Sequence, residues 1–129
     1  MISFEAFRQT DGTPIYLQII RYIQQGLAAG TIRDGDELPS RRVVSALLAV
    51  NPNTVQKAFR LLEDEGLAVS RAGAKSYVQA SPQQIAALRR VLLETEMQAM
   101  VDAAKRIGLT REEAHRLLDT LYDKEGTDA

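Results

Sequence analysis

From residue 13 to residue 66, apolar side chains return in a helical rhythm. Ile15, Ile19, Ile23 and Leu27 recur every fourth position and predict a helix with one apolar side. Thr13 is placed to cap it, Pro14 to be its first residue and Gly30 to end it. Before it, Phe4 and Phe7 are expected to pin an irregular start to the body, and Asp11-Gly12 marks a turn. Residues 31–39 read as a linker with a turn at Asp34-Gly35-Asp36 and buried anchors at Ile32 and Leu38. A short second helix is predicted from near Ser40 to about Ala49, with Val44, Leu47 and Leu48 inward. A third opens at Asn51-Pro52. The residue before a proline is kept out of the α region, Asn is a favoured cap, and proline suits the first helical position. Val55, Ala58, Phe59 and Leu62 then make one stripe, and the helix ends near Gly66. Residues 67–71 and 76–79, on either side of Ala72-Gly73-Ala74-Lys75, change to short β-prone runs around a glycine, the pattern of a hairpin.

Helical rhythm resumes at Ser81-Pro82 and can run to Ile107, stopped by Gly108. Its stripe changes side on the way. Ile85, Leu88, Val91 and Leu92 share one face; Leu93, Met97, Met100, Val101, Ala104 and Ile107 lie around another. A helix with two successive apolar faces must meet two different surfaces. Thr110 with Glu113 forms a capping box for a last helix, with Ala114, Leu117, Leu118, Leu121 and Tyr122 inward. Two helices with this much apolar surface cannot bury it alone, so a second copy of the pair is the expected partner. Met97, Met100, Val101, Ala104, Leu117, Leu118 and Leu121 are the expected dimerisation residues. The predicted division is residues 1–80 and residues 81–129.

The two helices around residue 50, joined by a tight turn, make a helix-turn-helix, and the hairpin after them is a wing. The fold class expected is mostly α with a small β-wing. On the outer side of the third helix stand Asn53, Gln56, Lys57 and Arg60, with no carboxylate until Asp64. Amides and cations are what base edges and phosphates pair with. The bland alternative is a solvated surface face. Net charge is −1, which by itself does not favour a nucleic-acid partner. Its distribution does: residues 1–80 hold nine Lys/Arg and eight Asp/Glu, while residues 81–129 hold seven and nine. No acidic residue occurs between Glu37 and Glu63, a window holding Arg41, Arg42, Lys57 and Arg60. Arg41 and Arg42 fall in the first turn of the second helix, where the helix dipole disfavours cations. A phosphate would account for them; two flexible surface arginines are the alternative.

The run Leu38-Pro-Ser-Arg-Arg-Val-Val-Ser-Ala-Leu-Leu-Ala-Val-Asn-Pro-Asn-Thr-Val-Gln-Lys-Ala-Phe, followed by Leu62-Glu-Asp-Glu-Gly-Leu, resembles the N-terminal domain of GntR-family bacterial transcription regulators. Pro14-Ile-Tyr-Leu-Gln-Ile is similar to the opening of that domain's first helix. The short tail and Val50-Asn-Pro-Asn-Thr-Val resemble the YtrA-type subfamily. The resemblance implies a winged helix-turn-helix, a homodimer and a palindromic operator, usually under repression, with a neighbouring transporter operon as the regulated genes. It implies that Arg42, two residues after Ser40, contacts DNA, that Asn53, Thr54, Gln56 and Lys57 hold the reading positions, and that Gly73 begins the wing tip. Three departures stand out. Val43 replaces an acidic residue and breaks a capping box with Ser40. The wing has Gly73-Ala74-Lys75 where a second glycine is usual; Lys75 is open to three readings, a phosphate contact, a residue strained at positive φ, or a neutral replacement. Ala72 replaces a basic or polar residue.

The expected DNA-binding set is therefore Ser40, Arg41, Arg42, Asn51, Asn53, Thr54, Gln56, Lys57, Arg60, Arg71, Gly73 and Lys75. Within it Asn51 is first a cap, Lys57 and Arg60 are phosphate rather than base contacts, and Arg60 can alternatively pair with Asp64. One of Tyr77 and Val78 is expected to close the core. The single histidine, His115, reads as a surface residue beside Glu112 or Asp119 rather than a metal ligand. Cysteine is absent, and no Ser-His-Asp spacing, phosphate loop or zinc spacing occurs, which disfavours an enzyme and calls for no cofactor. With no apolar run near ~18 residues and no signal-peptide pattern, a cytoplasmic protein is the expectation. The tail shows no cluster of polar residues for an effector, whose identity the sequence leaves unknown. The rival reading is a winged helix used as a protein-interaction module.

Overall fold

In a computed structural model of the 129-residue chain the elements follow as α1 (Ile15–Ala29), β1 (Glu37–Leu38), α2 (Arg41–Leu48), α3 (Pro52–Asp64), β2 (Ala68–Arg71), β3 (Lys75–Val78), α4 (Pro82–Ile107) and α5 (Arg111–Asp128). The structure describes all residues but Ala72, Ala74 and Ala129, and of residues 125–128 the backbone only. Two compact units result, Met1–Arg90 and Val91–Ala129.

The first unit is built on the predicted stripes. Ile19, Ile23 and Leu27 of α1 meet Val55, Ala58, Phe59 and Leu62 of α3 in one core, with Val44 of α2 and Val78 of β3. Burying a side chain of this size stabilises by about 1.5–3 kcal/mol. Phe4 and Phe7 are buried as expected, and both ring-pack with Tyr22. Helix α1 starts one residue later than predicted. Pro14 is its N-cap and makes no side-chain cap bond. The carbonyl of Thr13 instead accepts from Gln18 Nε2 at 2.7 Å, and that amide also exchanges two bonds with the Thr10 backbone. A polar residue on the apolar side of α1 thus ties down the segment before it.

Residues 31–39 are more than a linker. Ile32 and Leu38 are buried as anchors, but Glu37–Leu38 is also a strand, which pairs antiparallel with β3 to give the order β1-β3-β2. Two residues carry no period, so pattern alone cannot reveal such a strand. Across the hairpin Ala68 pairs with Val78 and Arg71 with Lys75. Val78 is the buried member of the Tyr77/Val78 pair. Ser81 opens α4 with a reciprocal box: its Oγ accepts from Gln84 N at 3.1 Å, and Gln84 Oε1 accepts from Ser81 N at 2.8 Å. Ile85 and Leu88 pack on the core, so the first turns of α4 complete this unit.

The second unit consists of the rest of α4 and α5. Gly108, at φ 83°, ends α4, and Thr110 and Glu113 form the expected capping box at 3.1 and 3.2 Å. The backbone N–H of Thr110, and then its hydroxyl, hold the Glu113 carboxyl below its ordinary pKa. Of the residues expected inward on α5, only Ala114 and Leu118 are half-buried within the chain; Leu117, Leu121 and Tyr122 are exposed. An open cleft of 530 Å³ runs along this unit, with Met97, Met100, Val101, Ala104, Leu109 and Leu118 among its walls. Among the described residues no helix is long and apolar enough to cross a membrane.

Candidate nucleic-acid interface

The site is assembled on α2, α3 and the hairpin. Ser40 caps α2: its Oγ accepts from Val43 N at 3.2 Å. Val43 cannot return a bond to the cap, so the helix start keeps its positive character. The inward stripe of α2 is Arg41, Val44, Ser45 and Leu48. Leu47 is not part of it. It lies about 120° away by helical phase and is 65% exposed, beside the half-exposed Val43. The inward place goes to a serine because the turn needs it. Ser45 Oγ donates to Val50 O at 2.5 Å, and Ser45 O accepts from Val50 N at 3.1 Å. Between them Ala49 sits at φ 55°, ψ 47°. The left-handed region costs a non-glycine residue about 1–2 kcal/mol, and the two Ser45 bonds hold the chain there. Gln9 adds a bond to Leu48 O at 2.8 Å, satisfying an end carbonyl of α2.

The turn delivers the chain to Asn51, whose Oδ1 accepts from Asn53 N at 2.8 Å. Asn51 is thus the cap, as expected, with Pro52 behind it at the first helical position. With Val55, Ala58, Phe59 and Leu62 buried, Asn53, Gln56, Lys57 and Arg60 are left exposed and Thr54 half-buried. No carboxylate stands within ion-pair distance of Arg60 among the described residues, so the alternative pairing with Asp64 is not formed.

The two arginines at the start of α2 separate. Arg42 is exposed. Arg41 is half-buried, with its guanidinium carbon 5.7 Å from the centroid of the Phe59 ring. Its Nε is buried without a hydrogen-bond partner among the described residues. Arg41 therefore spends part of its side chain joining α2 to α3. Lys57 is also oriented: its Nζ lies 4.0 Å from the centroid of Tyr16 on α1.

In the hairpin, Arg71 lies over Tyr77 at 4.9 Å. Gly73 takes φ 80°, a conformation that favours glycine. Lys75 is the first residue of β3, paired with Arg71, and is not at positive φ. The strained alternative for Lys75 is thereby removed; Gly73 carries the left-handed step. Ala72 and Ala74 lie outside the described residues. Ser70 Oγ donates to Glu63 Oε1 at 2.7 Å, tying the hairpin to the last turn of α3.

Sequence reasoning overlooked Gln9, Tyr16, Gln18, Ser45 and the Ser70–Glu63 pair. Ser45 and Gln18 carry a signal, a polar residue at an apolar phase. Gln9 and Tyr16 join segments far apart in the chain and leave no local mark, and the Ser70–Glu63 pair forms across the turn from α3 into β2, where neither residue carries a periodic signal. His115, exposed on α5, lies on the wall of the cleft, and among the described residues no cluster of His, Cys, Asp or Glu is arranged to hold a metal.

Comparison with known proteins agrees with this arrangement. Residues 15–78 match the family described as "Bacterial regulatory proteins, gntR family". The chain is 30% identical over 104 residues to the HTH-type transcriptional repressor YtrA of Bacillus subtilis, covering 80% of each chain. It is 33% identical over 100 residues to the HTH-type transcriptional regulator YhcF of the same organism, covering 78% of this chain and 83% of that one. A solved GntR family transcriptional regulator from Listeria monocytogenes superposes with a TM-score of 0.77 at 27% identity, covering 87% of this chain and 98% of the other.

Proposed function

The chain belongs to the GntR family of bacterial regulatory proteins and is a DNA-binding transcription regulator; from that premise we propose that it acts as a dimeric repressor on a palindromic operator. The observation that carries this reading is the outer side of α3. Asn53 and Gln56 offer amides to base edges from a helix whose buried stripe fixes their direction. Gln can pair bidentately with adenine, and the first turn of a recognition helix is the part that meets bases. Thr54, half-buried at that turn, reads beside them. Ser40, Arg42, Lys57 and Arg60 contact phosphate, and Arg41 braces the start of α2 against α3 as well as adding charge. Asn51 sets the first turn. Arg71, Gly73 and Lys75 bring the wing to the backbone of the duplex.

The dimer is supported by the unpartnered apolar surface of the second unit. Met97, Met100, Val101, Leu117 and Leu121 are all about 40–50% exposed within one chain, and Ala104 and Leu118 line a cleft with the first three of them. A second copy of α4 and α5 covers this surface. Two-fold pairing would set two recognition helices about 34 Å apart, one turn of DNA. The name of the Bacillus subtilis relative, HTH-type transcriptional repressor YtrA, supports the sign of regulation.

The test is selection of bound duplexes from random DNA, followed by affinity measurements across salt concentrations. The expected outcome is a two-fold symmetric sequence and a steep salt dependence, about −0.9 in log–log slope per neutralised phosphate. Arg42→Ala should flatten that slope. Recovery of no preferred sequence, with binding insensitive to salt, would favour a protein-interaction module instead.

A further inference from the structure

Among the described residues, Lys57 is the one cation of the α3 outer side that has an aromatic neighbour. Its Nζ stands 4.0 Å from the centre of the Tyr16 ring. Tyr16 is the second residue of α1, half-buried and packed on the core. The ring is therefore part of the rigid body, whereas an exposed lysine ordinarily samples many rotamers. A cation over an aromatic face is attracted by the ring quadrupole. Such an ammonium keeps its own N–H donors free on the side away from the ring. Arg60, one turn further on, has no aromatic neighbour among the described residues and remains a free point charge.

We propose that Tyr16 is a positioning residue for DNA binding: its ring face holds the Lys57 ammonium in place on the recognition helix, ready for a phosphate of the duplex. The inference rests on the reading of Lys57 as a phosphate contact. Tyr16 itself touches no DNA in this account. Its contribution is to remove, before binding, the rotamer freedom that Lys57 would otherwise lose on the complex.

The experiment is a double-substitution cycle on the full chain. The probe is a duplex recovered from random DNA by the unaltered protein. Tyr16→Leu should weaken binding about two- to five-fold, the factor a surface cation–π contact corresponds to, with the salt slope kept, since Lys57 still neutralises its phosphate. Tyr16→Phe keeps the ring face and should bind as the unaltered chain does. In a Lys57→Met background, Tyr16→Leu should have no further effect. Circular dichroism and melting separate loss of positioning from loss of fold. Tyr16→Leu that is as damaging in the Lys57→Met background as in the unaltered chain would overturn the proposal. Tyr16→Phe that fails to restore binding would overturn it too, because the hydroxyl would then be the active group. A Lys57→Met chain with unchanged affinity and salt slope would remove Lys57 from the interface and the proposal with it. Binding by the rest of the α3 surface would remain measurable in that case, so failure of Lys57 is distinguished from failure of DNA binding.

Discussion

The two compact units of this chain are both rich in apolar residues and treat them in opposite ways. In Met1–Arg90, Ile19, Ile23, Val44, Val55 and Leu62 have no exposed surface. In Val91–Ala129, Met97 is 48% exposed and Leu121 51%. The cause is geometry. Three helices and a sheet can enclose a stripe from several sides, whereas α5 and the rest of α4 have few neighbours within the chain, and α4 buries no residue fully. The first unit is thus stabilised within the chain. The second has good caps but too few neighbours, and its apolar surface stays open within the chain, which is the ground for the dimer proposed above.

The largest effect expected from this contrast is loss of the first core. Phe59→Ala should cost about 3–5 kcal/mol, a large part of a domain's usual stability of about 5–15 kcal/mol. Thermal melting should show it at any protein concentration. If the proposed dimer covers Leu121, Leu121→Ala should lower the melting point in a concentration-dependent way, because a group buried on association responds to mass action. Equal, concentration-independent losses for both would erase the difference between the units.

Next in size is Met100→Asp. It buries a charge if its face is an interface, at a cost of several kcal/mol. Sedimentation should find a monomer at micromolar concentration, with the first unit's helical signal kept. A stable dimer would place the interface elsewhere. Truncation after Arg90, where the first compact unit ends, should likewise yield a folded monomer with weak DNA binding.

A smaller effect of opposite sign is expected inside the first unit. Ala49 holds φ 55° in the helix-turn-helix corner. Ala49→Gly should raise stability by up to about 1 kcal/mol, because glycine enters that region freely. A lowered melting point would mean that the left-handed conformation of Ala49 holds no strain for glycine to relieve.

The smallest effect concerns the second unit's own cap. Backbone and side-chain hydrogen bonds from Thr110 lower the Glu113 pKa. The ionised form is favoured by the folded cap. Its contribution is therefore complete above the ordinary value of about 4.5 and is lost as pH falls through the lowered one. Glu113→Gln can keep the box without the charge. The helicity gap between the two proteins should close on acidification over that window. A gap constant with pH would mean that the carboxylate charge plays no part in the cap.

The sequence by itself determined the elements that carry a period. The stripes Ile19-Ile23-Leu27 and Val55-Ala58-Phe59-Leu62, the caps at Ser40, Asn51 and Thr110, and the outward direction of Asn53 and Gln56 all follow from spacing and local chemistry. The family resemblance was legible for the same reason, since its motif is one continuous run. Tertiary structure alone decided what depends on partners distant in the chain. It gave β1 a strand partner in β3, 38 residues away at the Leu38–Ser76 pair. It turned Leu47 outward because Ser45 was needed to hold the Ala49 corner, split Arg41 from Arg42 by placing the Phe59 ring beside one of them, and set Tyr16 under Lys57. Periodicity reports which side of an element is apolar; which neighbour meets that side is settled only when the elements pack.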